Sequence, residues 1–198
     1  MTLRKLSAYA LAVLLLCSGA FAAEQFQIDP NHSSANFAVK HLLVSTVRGR
    51  FAQLSGTITL DEADPTRSSV TAVIKAASIN TDNERRDNHL RSADFFEVEK
   101  YPEIRFQSSR VEKTEDGYVA VGTLTIKDVS REIRLPFTFA KAEARGRMKL
   151  GADASTSIDR FEYHVNYDKT GTTVGKKVKI EINIEANKVE PDQQRPVS

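Results

Sequence analysis

Residues 177–187 read Lys-Val-Lys-Ile-Glu-Ile-Asn-Ile-Glu-Ala-Asn. Val178, Ile180, Ile182, Ile184 and Ala186 fall on one side of an extended chain. Lys177, Lys179, Glu181, Asn183, Glu185 and Asn187 fall on the other. No helix fits this alternation, because apolar positions on a helix face recur every three to four residues. It demands a strand with one buried face and one wet face, as in an antiparallel sheet packed over a core on one side.

The same period runs through most of the chain. Gln25 to Asp29 is a short strand stopped by Pro30, and Ser34 to Lys40 puts Ala35, Phe37 and Val39 on one side. Val47 to Phe51 continues as strand, with Gly49 predicting a bulge or tight bend. Gly56 to Leu60 and Val70 to Ile79 are strands on either side of a turn at Asp61 to Ser68, which contains Asp64-Pro65. Ile104 to Glu112 and Tyr118 to Ile126 are joined by a Thr114-Glu115-Asp116-Gly117 hairpin turn. Arg131 to Ala140 places Ile133, Leu135, Phe137 and Phe139 on one face. Pro136 points the other way and predicts a sheet edge or a bulge. Ala142 to Ser157 reads as a weaker strand of small residues, Ile158 to Asn166 as a helical turn, and Gly171 to Gly175 as a loop. Strands at this spacing make an all-β fold, either an antiparallel sandwich or a barrel. A barrel leaves no edge strand to protect. Small residues near Ala152 leave interior volume, and the pattern alone leaves a filled core and a ligand cavity both open.

One stretch, Thr81 to Phe106, breaks the period. Thr81 with Glu84, and Asp94 with Glu97, fit capping boxes and predict two short helices in succession. The first spans Asp82 to Arg91, with favourable acid-before-base pairs Asp82–Arg86 and Asp87–Arg91. The second carries Phe95, Phe96 and Val98, and Tyr101-Pro102 forces the chain back to extended backbone. A helical insertion that is polar outside and aromatic inside predicts a plug or lid over a cavity.

The N-terminus has the three parts of a secretion signal: Arg4-Lys5, an apolar run centred on Leu11 to Leu16, and the small-residue site Ala20-Phe21-Ala22. Residues 1–22 are therefore expected to be cleaved, leaving a single domain at 23–189 and a polar tail at 190–198 expected to be disordered. The apolar run is shorter than the roughly 20 residues a membrane span needs, so no transmembrane segment is expected. Cys17, the single cysteine, leaves with the signal. That removes thiol catalysis, cysteine metal sites and disulfides from the mature chain. Loss of Arg4 and Lys5 also brings the 28 basic and 26 acidic residues into balance. A balanced chain gives no support for nucleic-acid binding or for general attraction to anionic membranes. An exported protein of this kind is expected in the periplasm.

Reaction chemistry is sparse. His32, His41, His89 and His164 show neither an H-E-x-x-H motif nor helix-face ligand spacing, so no metal is expected. His41, Ser45 and Asp94 supply the residue types of a hydrolase triad, but there is no G-x-S-x-G elbow, and a triad would have to be assembled in space. Gly171 to Lys176 is one residue short of a phosphate loop, lacks the following Ser or Thr, and leads into a strand. Arg48, Arg50, Arg85, Arg86 and Arg91 are candidates for a basic rim facing a phosphate head or an acidic partner; solvated surface is the ordinary alternative. No catalytic residue is assigned, and the chain is read as a non-enzyme.

Several segments together carry a resemblance: Val39-Lys40-His41, Ser45 to Phe51, Asn88 to Phe96, Tyr101 to Phe106, Gly122 to Ile126, and Val174 to Ile184. On these the chain resembles the YceI-like family of polyisoprenoid-binding, lipocalin-like periplasmic proteins. The resemblance implies an extended antiparallel β-barrel with a short helical insertion and a long apolar channel. Its ligand would be a long-chain amphiphile such as a polyprenyl lipid, a ubiquinone-like isoprenoid quinone or a fatty amide. A bound lipid or quinone is thus expected, with no further cofactor required. Candidate wall residues are Phe37, Val39, Phe51, Ile58, Ile74 and Phe106, with Leu124, Leu135, Phe137, Ile180 and Ile182. Phe95 and Phe96 are candidates for the closing end, and His41, Arg48, His89 and Asp94 for the polar head. The implied role is a periplasmic carrier or sequestering protein; a partner-binding or stress-protective module with a structural lipid is the alternative. A tail protruding from one mouth would favour a homodimer.

Overall fold

The computed structural model describes residues 23–190, so the expected signal segment and residues 191–198 of the expected tail lie outside it. Eleven strands share one antiparallel sheet. They are β1 (Glu24–Ile28), β2 (Ser34–His41), β3 (Ser45–Phe51), β4 (Leu54–Leu60), β5 (Ser69–Lys75), β6 (Ile79–Asn80), β7 (Glu103–Thr114), β8 (Gly117–Ile126), β9 (Val129–Ala144), β10 (Arg147–Asp159) and β11 (Val174–Lys188). One helix, α1 (Glu84–Arg91), lies between β6 and β7. Neighbours run β1-β4-β5-β7-β8-β9-β10-β11, and β11 returns to β1, closing an eight-stranded barrel. The lipocalin-like, all-β barrel with a helical insertion is therefore what forms. Among the described residues no helix is long and apolar enough to cross a membrane.

The remaining strands explain the shape. β1 and β2 run the same way along one edge of β11, with Ile28 opposite Ala186 and Ser34 opposite Asn183. β4 pairs with β1 where β3 pairs with β2, and β5 pairs with β4 where β6 pairs with β3. The first three long strands are thus each broken once, at 29–33, 52–53 and 76–78. Pro30, which has no N–H for a ladder, stands in the first break. A 3-10 turn, Ala76–Ser78, forms the third. The barrel is an up-and-down meander with a crease across three neighbouring strands.

Below the crease Phe26, Leu60, Leu150 and Ala186 are nearly or fully buried. Glu24, Lys141 and Lys188 share the inward parity at the same end. Lys141 Nζ donates to Glu24 at 2.5 Å and to Glu62 at 2.8 Å, and Lys188 also pairs with Glu24. Hydrogen bonds from Lys141, then from Lys188, hold the Glu24 carboxyl below its ordinary range.

Local structure departs from the sequence pattern in four places. The first helix begins at Glu84, not Asp82, because Asp82 takes a left-handed φ of 58° and Asn83 is the cap, accepting from Arg86 N at 3.0 Å. Thr81 is buried instead, giving its N–H and hydroxyl to Asp87 at 2.9 and 2.5 Å. The second helix does not form: residues 92–100 are turns, with Phe96 N bonded to Leu90 O and Glu97 at φ 49°. The single weak strand expected over Ala142 to Ser157 is the end of β9, a turn at Arg145-Gly146, and β10. Gly49 marks no bulge, since the β2–β3 register is regular through Phe37↔Gly49. It is needed because the Phe37 ring lies over it, where a Cβ would stand 2.5 Å from Phe37 Cζ. Pro136 does sit at a local edge, one residue beyond the last β9–β10 pair, Ala154↔Phe137.

Gly122 is a second close approach. It faces the β7 irregularity between Ser108 and Arg110, and a Cβ there would lie 2.4 Å from Gln107 O and 2.7 Å from Ser108 Cα. Both obstacles are backbone. Gly122→Ala is expected to lower stability by about 1–3 kcal/mol. At Gly151 an added Cβ would meet nothing nearer than 3.9 Å. Gly151→Ala is expected to leave stability unchanged or raise it by up to about 1 kcal/mol. Urea midpoints of the two variants measure the difference; equal midpoints would disprove the close packing at the bulge.

Candidate functional site

A cavity of about 270 Å³ occupies the barrel interior. Along β11 it is bordered by Val174, Val178, Ile180, Ile182 and Ile184, so it follows the strand over most of its length. The polar side chains on its wall are Asn36, Ser68, Ser69, Thr156, Arg160 and the Tyr163 phenol; the rest are aliphatic or aromatic. Alanines at 35, 72, 120, 152 and 154 leave the bore open. An apolar chain entering such a channel gains about 25 cal/mol per Å² removed from water. A charged group would lose its hydration with nothing to replace it.

Phe37, Val39, Phe51, Ile58, Ile74 and Phe106 all border the cavity, as do Leu124, Leu135, Phe137, Ile180 and Ile182. Phe95 and Phe96 border it too. Phe96 meets Phe51 edge to face at 5.6 Å, and Phe51 meets Phe37 at 5.7 Å, which joins the insertion to β2 and β3. Phe95 is buried, stacked on Tyr167 at 4.9 Å. The insertion and the segment following β10 together roof this end of the barrel.

The roof is held by guanidinium groups that collect backbone carbonyls. Arg160, in the 3-10 turn Arg160–Tyr163, is buried and donates to four: Val165 O (2.5 Å), Val174 O (2.6 Å), Gly175 O (3.0 Å) and Asp168 O (3.0 Å). Burial pushes its pKa down from the ordinary arginine value. Arg91 spans Ala77 O and Ile79 O at the crease, and Arg86 holds Thr81 O. Asp168 gathers the other side of the loop, accepting from Thr170 Oγ1 and Thr173 N at 2.6 Å and from Val174 N at 3.1 Å. Its carboxyl is held well below the usual carboxylate range, chiefly by the Thr170 hydroxyl and then by the loop's N–H groups. Sequence reasoning passed over Arg160, because no periodic signal marks a lone arginine in an irregular segment.

The four polar-head candidates lie off the cavity wall. His89 Nε2 is 2.8 Å from Asp94 Oδ2, and its ring stands edge-on to Phe95 (5.1 Å) and Tyr167 (4.7 Å), tying α1 to the roof. Arg48 is exposed on β3 opposite Ala38, and His41 ends β2 opposite Ser45 and Val174. These side chains form no triad: Ser45 Oγ donates to the His41 carbonyl at 3.3 Å, and Asp94 is engaged by His89. Asp29, His32 and Glu185 gather within 4.8 Å at the first strand break. Their carboxylates are already engaged, Asp29 by His32 and Asn31 N, Glu185 by Lys149.

Polar groups meet the channel elsewhere. Past Ala154↔Phe137 the β9–β10 ladder stops, and a crevice of about 430 Å³ lies between the two strands. Ser130, Arg131, Glu132, Ser157, Asp159 and Glu162 line it, and Ile133, Ile158 and Tyr163 border both crevice and channel. Arg131 Nε donates to Glu162 O at 2.9 Å across it. Pro136 was the one trace of this seam in the sequence.

The comparisons agree with this architecture. A family model described as a YceI-like domain matches residues 26–186. A UPF0312 protein of Photorhabdus laumondii is 41% identical over 165 residues, covering 79% of this chain and 83% of its own. The crystal structure of a Campylobacter jejuni YceI protein superposes with a TM-score of 0.69 at 34% identity, covering 76% of this chain and 90% of that one. A polyisoprenoid binding domain from Saccharophagus degradans superposes with a TM-score of 0.62, covering 84% of this chain and 99% of that one. At 16% identity that last likeness is one of fold.

Two outcomes test the roof. Arg160→Met leaves four carbonyls without their donor, at about 1–3 kcal/mol for each buried group left unmet. It is expected to speed amide exchange through residues 164–175 more than in the β7–β8 hairpin. The carboxyl of Asp168 titrates lower folded than unfolded, so its contribution is complete above the free value of about 4 and is lost as pH falls below it. Protection factors of the Thr173 and Val174 amides are expected to hold from neutral pH down to about that value and to drop in acid; Asp168→Ala lowers them at neutral pH, and its difference from the parent shrinks in acid.

Proposed function

This chain belongs to the YceI-like family, and on that premise we propose that it is an exported periplasmic protein that carries or sequesters a long-chain isoprenoid lipid or isoprenoid quinone. The observation that carries the reading is the channel wall, apolar along its length, whose one charged group, Arg160, is already spent on backbone carbonyls. A polyprenyl tail is insoluble, and each buried CH₂ contributes about 0.8 kcal/mol, so such a wall retains one without any chemical step. The name of the Saccharophagus degradans domain supports an isoprenoid as the cargo. The three-part N-terminal signal supports export. We assign the head group to the crevice between β9 and β10, the polar border of the wall. One guanidinium, Arg131, stands there against the carboxylates of Glu132, Asp159 and Glu162. That balance repels a pyrophosphate, and an uncharged head such as a quinone carbonyl or an amide would take its hydrogen bond from the Arg131 guanidinium.

Native mass spectrometry of the purified protein, followed by organic extraction, tests the reading. A discrete added mass that extracts as a prenyl lipid or quinone is expected. Ala154→Phe places a ring in the bore and is expected to cut lipid content by about tenfold or more while the β-sheet circular dichroism stays unchanged. A clean apo mass with no uptake of added prenyl lipid would overturn the proposal.

A further inference from the structure

The hairpin joining β2 to β3 ends in Leu42-Leu43-Val44, whose residues are 55%, 70% and 84% exposed. Three adjacent apolar residues at a loop tip are unusual, because turns are normally polar. Their backbone makes the arrangement stranger. Leu42 and Leu43 have φ of 50° and 62°, the left-handed region ordinarily left to glycine or asparagine. The leucines are thus kept where both solubility and backbone preference oppose them. The tip is also anchored: Leu42 N donates to Thr173 O at 2.9 Å, and Val44 N and Ser45 Oγ both donate to His41 O. It is a preformed apolar projection, so little ordering is needed when it meets a partner.

The small net charge of the chain, +2, hides a local excess at this place. The two segments that meet at the tip, 38–48 and 164–178, contain Lys40, Arg48, Lys169, Lys176 and Lys177 against a single carboxylate, Asp168. Asp168 is turned inward to its own loop, while all five cations are exposed. Around them, Glu181 faces Arg48 but is paired with Lys179, Asp159 lies opposite Lys177 and caps Phe161 N, and Asp94 is bonded to His89. Tyr167, half exposed, belongs to the same roof loop. An apolar crown within a basic collar and beside an aromatic ring is the chemistry of an interfacial membrane anchor.

The tip also stands at the end of the channel. His41 pairs with Val174 and Val39 with Val178, and Val39, Val174 and Val178 are all channel wall. We propose that this hairpin tip docks the protein on an anionic lipid bilayer, turning the roofed end of the channel toward the membrane. The inference rests on the carrier reading, since a protein that holds an insoluble chain has to meet a bilayer to load or release it.

Vesicle cosedimentation of the purified protein tests it, with phosphatidylcholine vesicles alone or containing phosphatidylglycerol. Binding is expected on the anionic vesicles and to weaken with salt. The paired substitutions Leu43→Asp and Val44→Asp are expected to reduce partitioning by about tenfold or more. Lys40→Glu with Lys169→Glu is expected to reduce it about fivefold or more per site, on anionic vesicles only. Every altered side chain is exposed, so an unchanged thermal melt certifies folding. Failure of the protein to bind anionic vesicles, or equal binding by the Leu43→Asp, Val44→Asp protein, overturns the proposal. A dimer in sedimentation velocity that depends on Leu43 and Val44, without vesicle binding, also overturns it and gives the tip a second copy as occupant. Extraction of bound lipid keeps the two readings apart. A tip variant that loses vesicles but keeps its lipid supports docking and cargo as separate properties. Tip-dependent vesicle binding by a protein with a clean apo mass upholds docking and defeats the carrier reading.

Discussion

Closure of the sheet rests on β11. One edge of this strand pairs with β10 over residues 177–187; the other pairs first with β2 and then with β1. Its strict alternation follows from that position. A one-residue slip would turn Lys179, Glu181 and Glu185 into the channel and Ile180, Ile182 and Ile184 into water, so a single register survives. Because the strand is long and closes the ring, the interior it faces is a long tube. Neither β1 nor β2 is long enough to cover its second edge alone, so the chain covers it in two pieces and accepts a break between them.

That break propagates. It reappears between β3 and β4 and again between β5 and β6, and the insertion closes the wall where β6 ends. Every break takes backbone carbonyls out of a ladder, and buried carbonyls need donors. Arginine supplies them because its planar fork reaches several acceptors at once. Arg91 serves the crease, Arg86 the start of the insertion and Arg160 the roof. Two of the five arginines that look in sequence like a rim for an anionic head, Arg86 and Arg91, are therefore half-buried scaffolding, while Arg48, Arg50 and Arg85 face solvent.

This division accounts for what could be read from sequence. Strand parity decides which side chains point inward, and parity survives any error in strand ends; hence the wall residues from Phe37 to Ile182 all border the cavity. Positions set by tertiary demand were not legible. Asp94 to Val98 has a helix cap pattern, but the chain turns there, with Phe95 stacked on Tyr167 and Phe96 edge-on to Phe51. The crevice depends on where the β9–β10 ladder stops, and side-chain parity carries no information about that. His89 and Asp94, read as candidates for the polar head, satisfy each other in the roof instead.

The same wall poses a question of stability. At about 24 cal/mol per Å³, an unfilled apolar space of 270 Å³ forfeits about 6 kcal/mol of packing, against about 5–15 kcal/mol for the whole stability of a domain. Larger side chains at Ala152 and Ala154 would remove much of that cost. On the proposed carrier reading, an apolar chain in the bore would complete the core instead. Cargo affinity and fold stability then become one linked quantity, since a ligand that binds only the folded barrel stabilises it by RT ln(1 + [L]/Kd). The carrier proposal would give the breaks, the arginine-held roof and the small residues of β10 one cause, a bore kept open for an apolar chain.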